Sequence, residues 1–150
     1  MPIKMTTSTD EIAKFLRHAM AERRKALVNA LRYLGERCIN EARDSGTYTD
    51  RTGNLRASLG YVVLKDGKAL GSPTLIRGGT QDGRARGEET IRQAISETND
   101  EGYVLIVVAG MHYAKYVESM GYNVLTSAQL LAERQAPIIL NQLRLKWRKG

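Results

Sequence analysis

Apolar residues recur at intervals of three and four along the first third of the chain. They occupy one side of the segment Ile12–Ala42, and charged residues occupy the other side. This spacing is typical of an amphipathic helix. Ser8 and Glu11 have the spacing of a capping box, which predicts the start of the helix, and Gly46 predicts its end. An unbroken helix of this kind would be about 50 Å long, so we expect part of it to lie against another chain.

A turn and a β-hairpin are predicted after this helix. Residues 44–54 are rich in turn-forming residue types, and Gly53 suits a left-handed conformation. Asp66 and Gly67 are typical of a two-residue hairpin turn. The predicted elements are a short helix at Leu55–Ser58, a strand at Tyr61–Leu64 and a returning strand at Lys68–Leu70.

The segment 71–87 contains glycines and three arginines, Arg77, Arg84 and Arg86, but few apolar side chains. Such a segment buries too little apolar surface to offset the entropy lost when it becomes ordered. We therefore expect a mobile basic loop over these residues.

One strand and three helices are predicted in the remainder. The run Tyr103–Ala109 is apolar and rich in β-branched residues, so we expect it to be the central strand, covered on both faces. Pro137 lacks a backbone N–H, so we expect the last helix to kink or restart there. The predicted helices are Glu88–Thr98, Tyr113–Gly121 and a closing helix that begins at Thr126.

The order of these elements predicts an α+β fold, in which a long N-terminal helix and a C-terminal helix pack on a small, mainly antiparallel β-sheet. The chain has 150 residues, of which 42% are hydrophobic, and this fits one domain over residues 1–150. The longest apolar run is far shorter than the ~20 residues of a membrane span, and the N-terminus lacks the apolar centre of a signal peptide. We expect no contact with a membrane.

Charge is unevenly distributed along the chain, whose net charge is +7. Residues 47–87 carry a net charge of +4, and residues 88–143 carry a net charge of −4. These two segments predict complementary faces for self-assembly. Four cations near the C-terminus suit either the negative end of a helix dipole or contact with a phosphate backbone. They are Arg144, Lys146, Arg148 and Lys149.

Local signatures of catalysis are absent from the sequence. It has no nucleophile elbow, no phosphate-binding loop, no dinucleotide-binding glycine motif and no zinc-binding His-Glu helix. His18 and His112 lie far apart, and Cys38 falls on the apolar side of the first helix, where a thiol acts as a small hydrophobe. We expect a protein without catalytic residues, bound metal or cofactor.

Two segments carry more specific information. The first, Thr49–Ser58, has the pattern D-x-T-G-x-L-R-x-S, and the second, Gly110–Glu118, has the pattern Y-A-x-Y-V-E after an apolar strand. Together with the order of elements, they resemble the tail-component family of long-tailed bacteriophages and prophages. These are small neck or tail-completion proteins near the head–tail junction. After Glu118, the sequence departs from the Gly-Thr and Arg-Pro-Phe-Leu stretches of many relatives.

The resemblance implies structural roles for the motif residues. Gly53 would permit a tight turn, and Leu55 would anchor the short helix in the core. Arg56 and Ser58 would fix the ends of that helix. Glu118 would pair with an arginine such as Arg56. The motif residues are Asp50, Thr52, Gly53, Leu55, Arg56, Ser58, Tyr113, Ala114, Tyr116, Val117 and Glu118.

The resemblance also implies a function. It implies a non-enzymatic structural protein that forms or joins a ring between the neck and the tail tube during virion assembly. Its partners would be copies of itself and other phage neck and tail proteins. It would lie at the head–tail junction of the virion, and in the host cytoplasm during assembly. The charge distribution, and not the resemblance, predicts that Arg77, Arg84 and Arg86 contribute to the contact between copies.

A small basic nucleic-acid-binding protein is the alternative. The net charge of +7, the arginines of residues 71–87 and the cationic C-terminus favour non-specific contact with DNA. Such binding would weaken steeply as salt rises, whereas assembly through apolar burial would not. A metal-dependent nuclease is a third interpretation, which no cluster of carboxylates at ligand spacing supports.

Overall fold

The helices and strands follow the order that the sequence predicts, with one additional strand at Thr74–Leu75. The computed structural model describes residues 9–149, and within them the α+β fold is confirmed, with long first and last helices and a small antiparallel sheet. In chain order the elements are α1 (Thr9–Asp44), α2 (Asn54–Ala57), β1 (Leu59–Lys65), β2 (Lys68–Ala69), β3 (Thr74–Leu75), α3 (Gln81–Glu97), β4 (Tyr103–Ala109), α4 (Ala114–Ser119) and α5 (Thr126–Lys149).

The helices α1 and α5 pack side by side in opposite directions. α1 is continuous over 36 residues, which corresponds to about 54 Å. The Cys38 thiol lies 3.6 Å from the Ala128 carbonyl oxygen, and the Arg23 guanidinium lies over the ring of Trp147. As predicted, Cys38 is buried, and this burial raises the pKa of its thiol. The predicted capping pair of α1 includes Ser8, which lies outside the described residues.

The sequence predicts a kink or a restart at Pro137. α5 passes through this residue as one helix, so the restart is wrong. The proline removes one backbone hydrogen bond from the helix. Ala132 and Ile139, on either side of it, both pack against the core that α1 lines. This tertiary packing holds the two parts of α5 in one helix, because most helical stability in proteins comes from such packing.

β1 is the central strand of the sheet. β4 pairs with it in the antiparallel direction over seven residues, from Leu59 opposite Ala109 to Lys65 opposite Tyr103. Because β4 occupies one edge of β1 along its whole length, β2 and β3 share the other edge. The expectation that Tyr103–Ala109 is the central strand is therefore wrong. The apolar composition of β4 reflects the helices that pack on both of its faces. Its backbone pairs with β1 along one edge.

Helices cover both faces of the sheet. On one face, Leu59 and Tyr61 of β1 pack against α1 and α5. On the other face, Val62 and Leu64 pack against Ile91 of α3. The side chains of β4 alternate in the same way, as predicted for a strand that contacts helices on both faces. The hairpin turn is also confirmed, with positive φ angles at both turn residues.

The expected mobile loop over residues 71–87 is wrong, because β3 and the first part of α3 lie within it. The Thr80 hydroxyl caps α3 by accepting a hydrogen bond from the N–H of Gly83 at 3.2 Å. Gly87 lets α3 pack closely, since a Cβ there would lie 2.7 Å from the carbonyl oxygen of Ser58. The segment is ordered because contacts such as that of Gly87 with Ser58 join it to residues that are distant in sequence.

Candidate functional site

The first motif forms the connection between α1 and β1. Gly53 has a φ of 77°, which is the left-handed conformation predicted for it. The Asp50 carboxylate accepts hydrogen bonds from two N–H groups of α2, at 2.9 and 3.4 Å. The Thr52 hydroxyl accepts another from the N–H of Asn54 at 3.2 Å. These side chains supply the partners that the first N–H groups of a helix lack.

Arg56 connects α2 to the end of α1. Its guanidinium donates to the carbonyl oxygens of Arg43 and Gly46, at 3.3 and 3.4 Å. It also lies 4.8 Å from the centre of the Tyr48 ring. A cation in this position is stabilised by the negative end of the α1 dipole. The predicted pairing of Arg56 with Glu118 is wrong, because the carboxylate of Glu118 bonds to the start of α5.

Ser58 connects α2 to the end of β4. It is fully buried, and its hydroxyl donates to the carbonyl oxygen of Leu55 at 2.7 Å. The same hydroxyl accepts from the N–H of Gly110 at 2.9 Å. A Cβ at Gly110 would lie 2.5 Å from the carbonyl oxygen of Arg86, so this glycine allows α3 to approach the end of the strand.

The second motif packs α4 onto the first motif. Ala114 is buried beside Leu55, in a cluster between the ends of α1, α2 and α5. The buried members are Tyr48, Leu55, Ala114 and Val124, with Tyr113 and Val117 packed against them. Tyr116 is 66% exposed and lies outside this cluster. The two motifs, which are far apart in sequence, therefore share one small core.

Glu118 caps the start of α5. Its Oε1 atom accepts hydrogen bonds from the N–H groups of Leu125 and Thr126, both at 2.9 Å, and from the Thr126 hydroxyl at 2.7 Å. Partial burial alone would raise the pKa of this carboxyl. The hydrogen bonds outweigh that effect and lower the pKa of Glu118 below its usual value. The anionic form therefore stabilises the helix terminus.

Asn123, which was not predicted as a site residue, completes the same connection. Its side-chain amide donates to the carbonyl oxygen of Ser45 at 2.9 Å, and its Oδ1 accepts from the N–H of Ser127 at 3.1 Å. Its own N–H donates to the hydroxyl of Thr47 at 2.8 Å. Asparagine is a favoured residue type at helix N-termini, and this preference was the available signal.

We call these residues the helix junction. Their polar atoms bond mainly to backbone groups of neighbouring segments, so they fix the relative positions of four helices. The arrangement supports the structural roles that the resemblance implies. Its polar residues are Asp50, Arg56, Ser58, Glu118 and Asn123.

The arginines of residues 71–87 lie on or beside α3. Arg84 donates to the carbonyl oxygen of Ile76 at 2.6 Å, and Arg86 forms an exposed ion pair with Glu89 at 3.6 Å. Arg77 is exposed just before this helix. α3 spans the boundary between the two oppositely charged sequence segments, and it contains both basic and acidic residues.

Most of the net charge lies at the far ends of α1 and α5. We call residues 9–25 and 140–149 the helical tip. These residues include nine basic and three acidic side chains, which give +6 of the net charge of +7. The four C-terminal cations, Arg144, Lys146, Arg148 and Lys149, are all exposed here. The helical tip also exposes large apolar side chains. They are Phe15, Leu16, Met20, Leu140 and Leu145.

Within residues 9–149, no group of three or more His, Cys, Asp or Glu side chains is placed to hold a metal ion. In the same part of the chain, every helix is too short or too polar to cross a membrane. A scan against models of protein families, a search of curated proteins and a search of solved structures each found no match to this chain.

Proposed function

We propose that this chain is a non-enzymatic structural protein of the head–tail junction of a long-tailed phage or prophage. In this role it forms or joins a ring between the neck and the tail tube during virion assembly. Its partners are copies of itself and other neck and tail proteins. It acts in the host cytoplasm during assembly and then in the virion. The proposal starts from the two sequence motifs.

The observation that carries this proposal is the exposed apolar surface of the helical tip. Phe15 is 69% exposed, Leu16 is 54% exposed and Met20 is 51% exposed. Because Arg23 lies over Trp147 near the end of α5, the preceding part of α1 extends past α5 by about 20 Å. Apolar side chains on a projecting helix lose their contact with water when another molecule packs on them. The helical tip is therefore suited to contact with a neighbouring subunit.

The helix junction supports the same proposal from the other end of the molecule. Asp50, Arg56 and Glu118 bond to helix termini, and Ser58 is buried between two segments. Each polar group is therefore committed to holding the fold. Residues with these contacts suit a subunit whose task is to present a fixed shape to its neighbours.

The test is the solution mass, measured by light scattering over a range of protein and salt concentrations, with electron microscopy of the largest species. We expect a concentration-dependent species of ring size. The double variant Phe15→Ser and Leu16→Ser should shift the mass towards the monomer. Tyr116→Ser with Met120→Ser is the matched control, because both residues are exposed away from the helical tip. A monomer at every concentration would contradict the formation of a ring by this chain alone. Assembly that the tip variant leaves unchanged would contradict the contact proposed for the helical tip.

A nucleic-acid-binding protein is the second candidate, and the net charge of +6 at the helical tip favours it. Duplex DNA added to the same samples separates the two functions. Arg144→Glu with Arg148→Glu should remove DNA binding if the tip contacts phosphates, and raising the salt should do the same. Binding with this behaviour would favour the second candidate. If the protein does not bind DNA at low salt, the structural role is favoured.

A further inference from the structure

One edge of the sheet is unpaired along the length of β4. The carbonyl oxygens of Leu59 and Val63 accept hydrogen bonds from the N–H groups of Ile76 and Leu70, so odd-numbered residues of β1 bond away from β4. Even-numbered residues of β1 therefore bond to β4, and they lie opposite the even-numbered residues of that strand. In an antiparallel pair, the intervening residues direct their backbone groups to the other side.

The backbone groups at this free edge belong to Tyr103, Leu105, Val107 and Ala109. Among the residues that the structure describes, β1 is the one strand that pairs with β4. These four residues also have no backbone hydrogen bond to a turn, loop or cap of that part of the chain. Their N–H and C=O groups are free to pair with another strand.

The edge of β4 lacks the features that usually protect an exposed strand. Soluble proteins shorten such strands or place lysine, proline or a bulge in them. The opposite edge of the sheet follows this rule, since β2 has two residues and includes Lys68. β4 has seven residues, Tyr103–Ala109, without a charge or a proline, and it keeps one register throughout.

A cavity of about 280 Å³ lies beside this edge. Leu105 and Val107 of β4 line one side of it, and Ala128 and Ala132 of α5 line another. α1 packs directly on β1 and β4, whereas α5 packs chiefly on α1. The helix layer is therefore wider than the sheet. It extends beneath the position that a fifth strand would take, about 4.8 Å beyond β4.

We propose that the edge of β4 accepts an extended segment of a partner protein as a fifth strand. This segment carries apolar side chains at alternate positions, because alternate residues of the added strand would face the cavity. Its central residues are uncharged, because the lining, including Cys38 and Gln129, offers no charged partner. This site goes beyond the proposed function and does not depend on the helical tip.

A single extended segment fits this site better than β4 of a second copy. Neighbouring strands lie about 4.8 Å apart, whereas packed helices need about 8–10 Å. α5 of each copy reaches past its own β4. Edge-to-edge pairing of two copies would therefore force helices of both copies into the same layer. A lone strand brings no helix with it.

The test uses the full chain and a synthetic peptide, Lys-Thr-Val-Thr-Leu-Thr-Val-Thr-Lys, with amide hydrogen exchange followed by NMR. The peptide should slow exchange of the Leu105 and Val107 amides by about tenfold at saturation, because each gains a hydrogen bond. The amides of Val104 and Ile106, which already bond to β1, should change little. A control peptide of the same composition, with its apolar residues adjacent, should give much weaker protection.

Variants of the strand and of the cavity complete the test. Val107→Pro removes an edge-facing N–H without removing a bond to β1, whereas Val107→Ala retains that N–H. We expect the proline variant to lose about tenfold in peptide affinity relative to the alanine variant. Ala132→Gln fills the cavity from α5 and should also weaken peptide binding. This second variant tests the proposal even if Val107→Pro does not fold. No protection at millimolar peptide would overturn the proposal, as would protection that Ala132→Gln leaves unchanged.

Discussion

Ser58 shows how one side chain holds distant segments together. Its hydroxyl has no contact with solvent, donates to α2 and accepts from the N–H that follows β4. The carbonyl oxygen of the same residue also accepts from Gly110 at 3.2 Å. A buried hydroxyl is costly unless it is hydrogen-bonded, and here both its donor and its acceptor functions are used.

Ser58→Ala should therefore lower the free energy of unfolding by about 1–2 kcal/mol, since it leaves buried backbone groups with fewer partners. Ser119→Ala is the matched control, because the Ser119 hydroxyl is exposed and bonds within its own helix. The control should change stability by less than about 0.5 kcal/mol. Urea denaturation followed by circular dichroism measures both values. Equal effects would show that the junction does not depend on this hydroxyl.

Glu118 is expected to make the protein less stable as the pH falls. Its folded-state pKa is lowered, so its contribution is present above the usual pKa of a glutamate and is lost as the pH falls through the folded-state pKa. The melting temperature of Glu118→Gln should therefore fall less than that of the wild type between about pH 6 and pH 3. Glu133→Gln, an exposed change on α5, should keep the wild-type dependence. Parallel curves for the wild type and Glu118→Gln would contradict this role.

At the scale of elements, α5 and α3 show tertiary contacts overriding local preferences. Pro137 disfavours a helix, yet α5 is continuous because both of its parts pack against the core that α1 lines. Residues 81–87 look like a loop, yet they begin α3. There, Gly83 and Gly87 permit close contact with α2 and with the backbone of Ser58. Neither the continuity of α5 nor the start of α3 can be predicted from neighbouring residues, because the residues that pack against these helices are distant in sequence.

Pro137→Ala should stabilise the protein by up to about 3 kcal/mol, because alanine restores a backbone hydrogen bond and removes a steric conflict inside α5. Pro137 is exposed, so little core packing changes with the substitution. Asn141→Ala, at another exposed position of the same helix, is the control for helix propensity alone. Thermal unfolding measures both variants. A loss of stability in Pro137→Ala would show that the packing of α5 on α1 requires the local geometry of proline.

For the whole molecule, the core and the contact surface proposed at the helical tip are spatially separated. The helix junction and the buried residues of the sheet lie at one end, and the helical tip extends from the other. Among residues 13–25, Ala13 and Ala19 are partly buried, and all the others are exposed. Contacts with a neighbour can therefore use the helical tip without disturbing the core.

Removal of the first 22 residues should leave the melting temperature within a few degrees of the wild type, because residues 13–22 contribute little to the core. The same truncation should abolish the assembly proposed for the helical tip. Circular dichroism gives the first result, and light scattering gives the second. A truncated chain that unfolds would show that the start of α1 stabilises the body of the protein. Normal assembly of the truncated chain would place the contact elsewhere.

The sequence by itself determined the features that depend on residues close together in the chain. The periodicity of α1, the start of α5 at Thr126, the turn at Asp66 and Gly67 and the left-handed Gly53 all follow from local preferences. The α+β fold follows from the order of these elements. The structural roles of Arg56 and Ser58 in positioning α2 agree with the expectation from the first motif.

The tertiary structure alone decided which distant groups meet. It placed Glu118 on the start of α5 rather than on Arg56, and it made β1 rather than β4 the central strand. It also gathered charges from both ends of the sequence into the helical tip. Hydrogen bonding and apolar burial act between groups that are close in space, and sequence spacing determines such closeness only within a helix, a turn or a single strand.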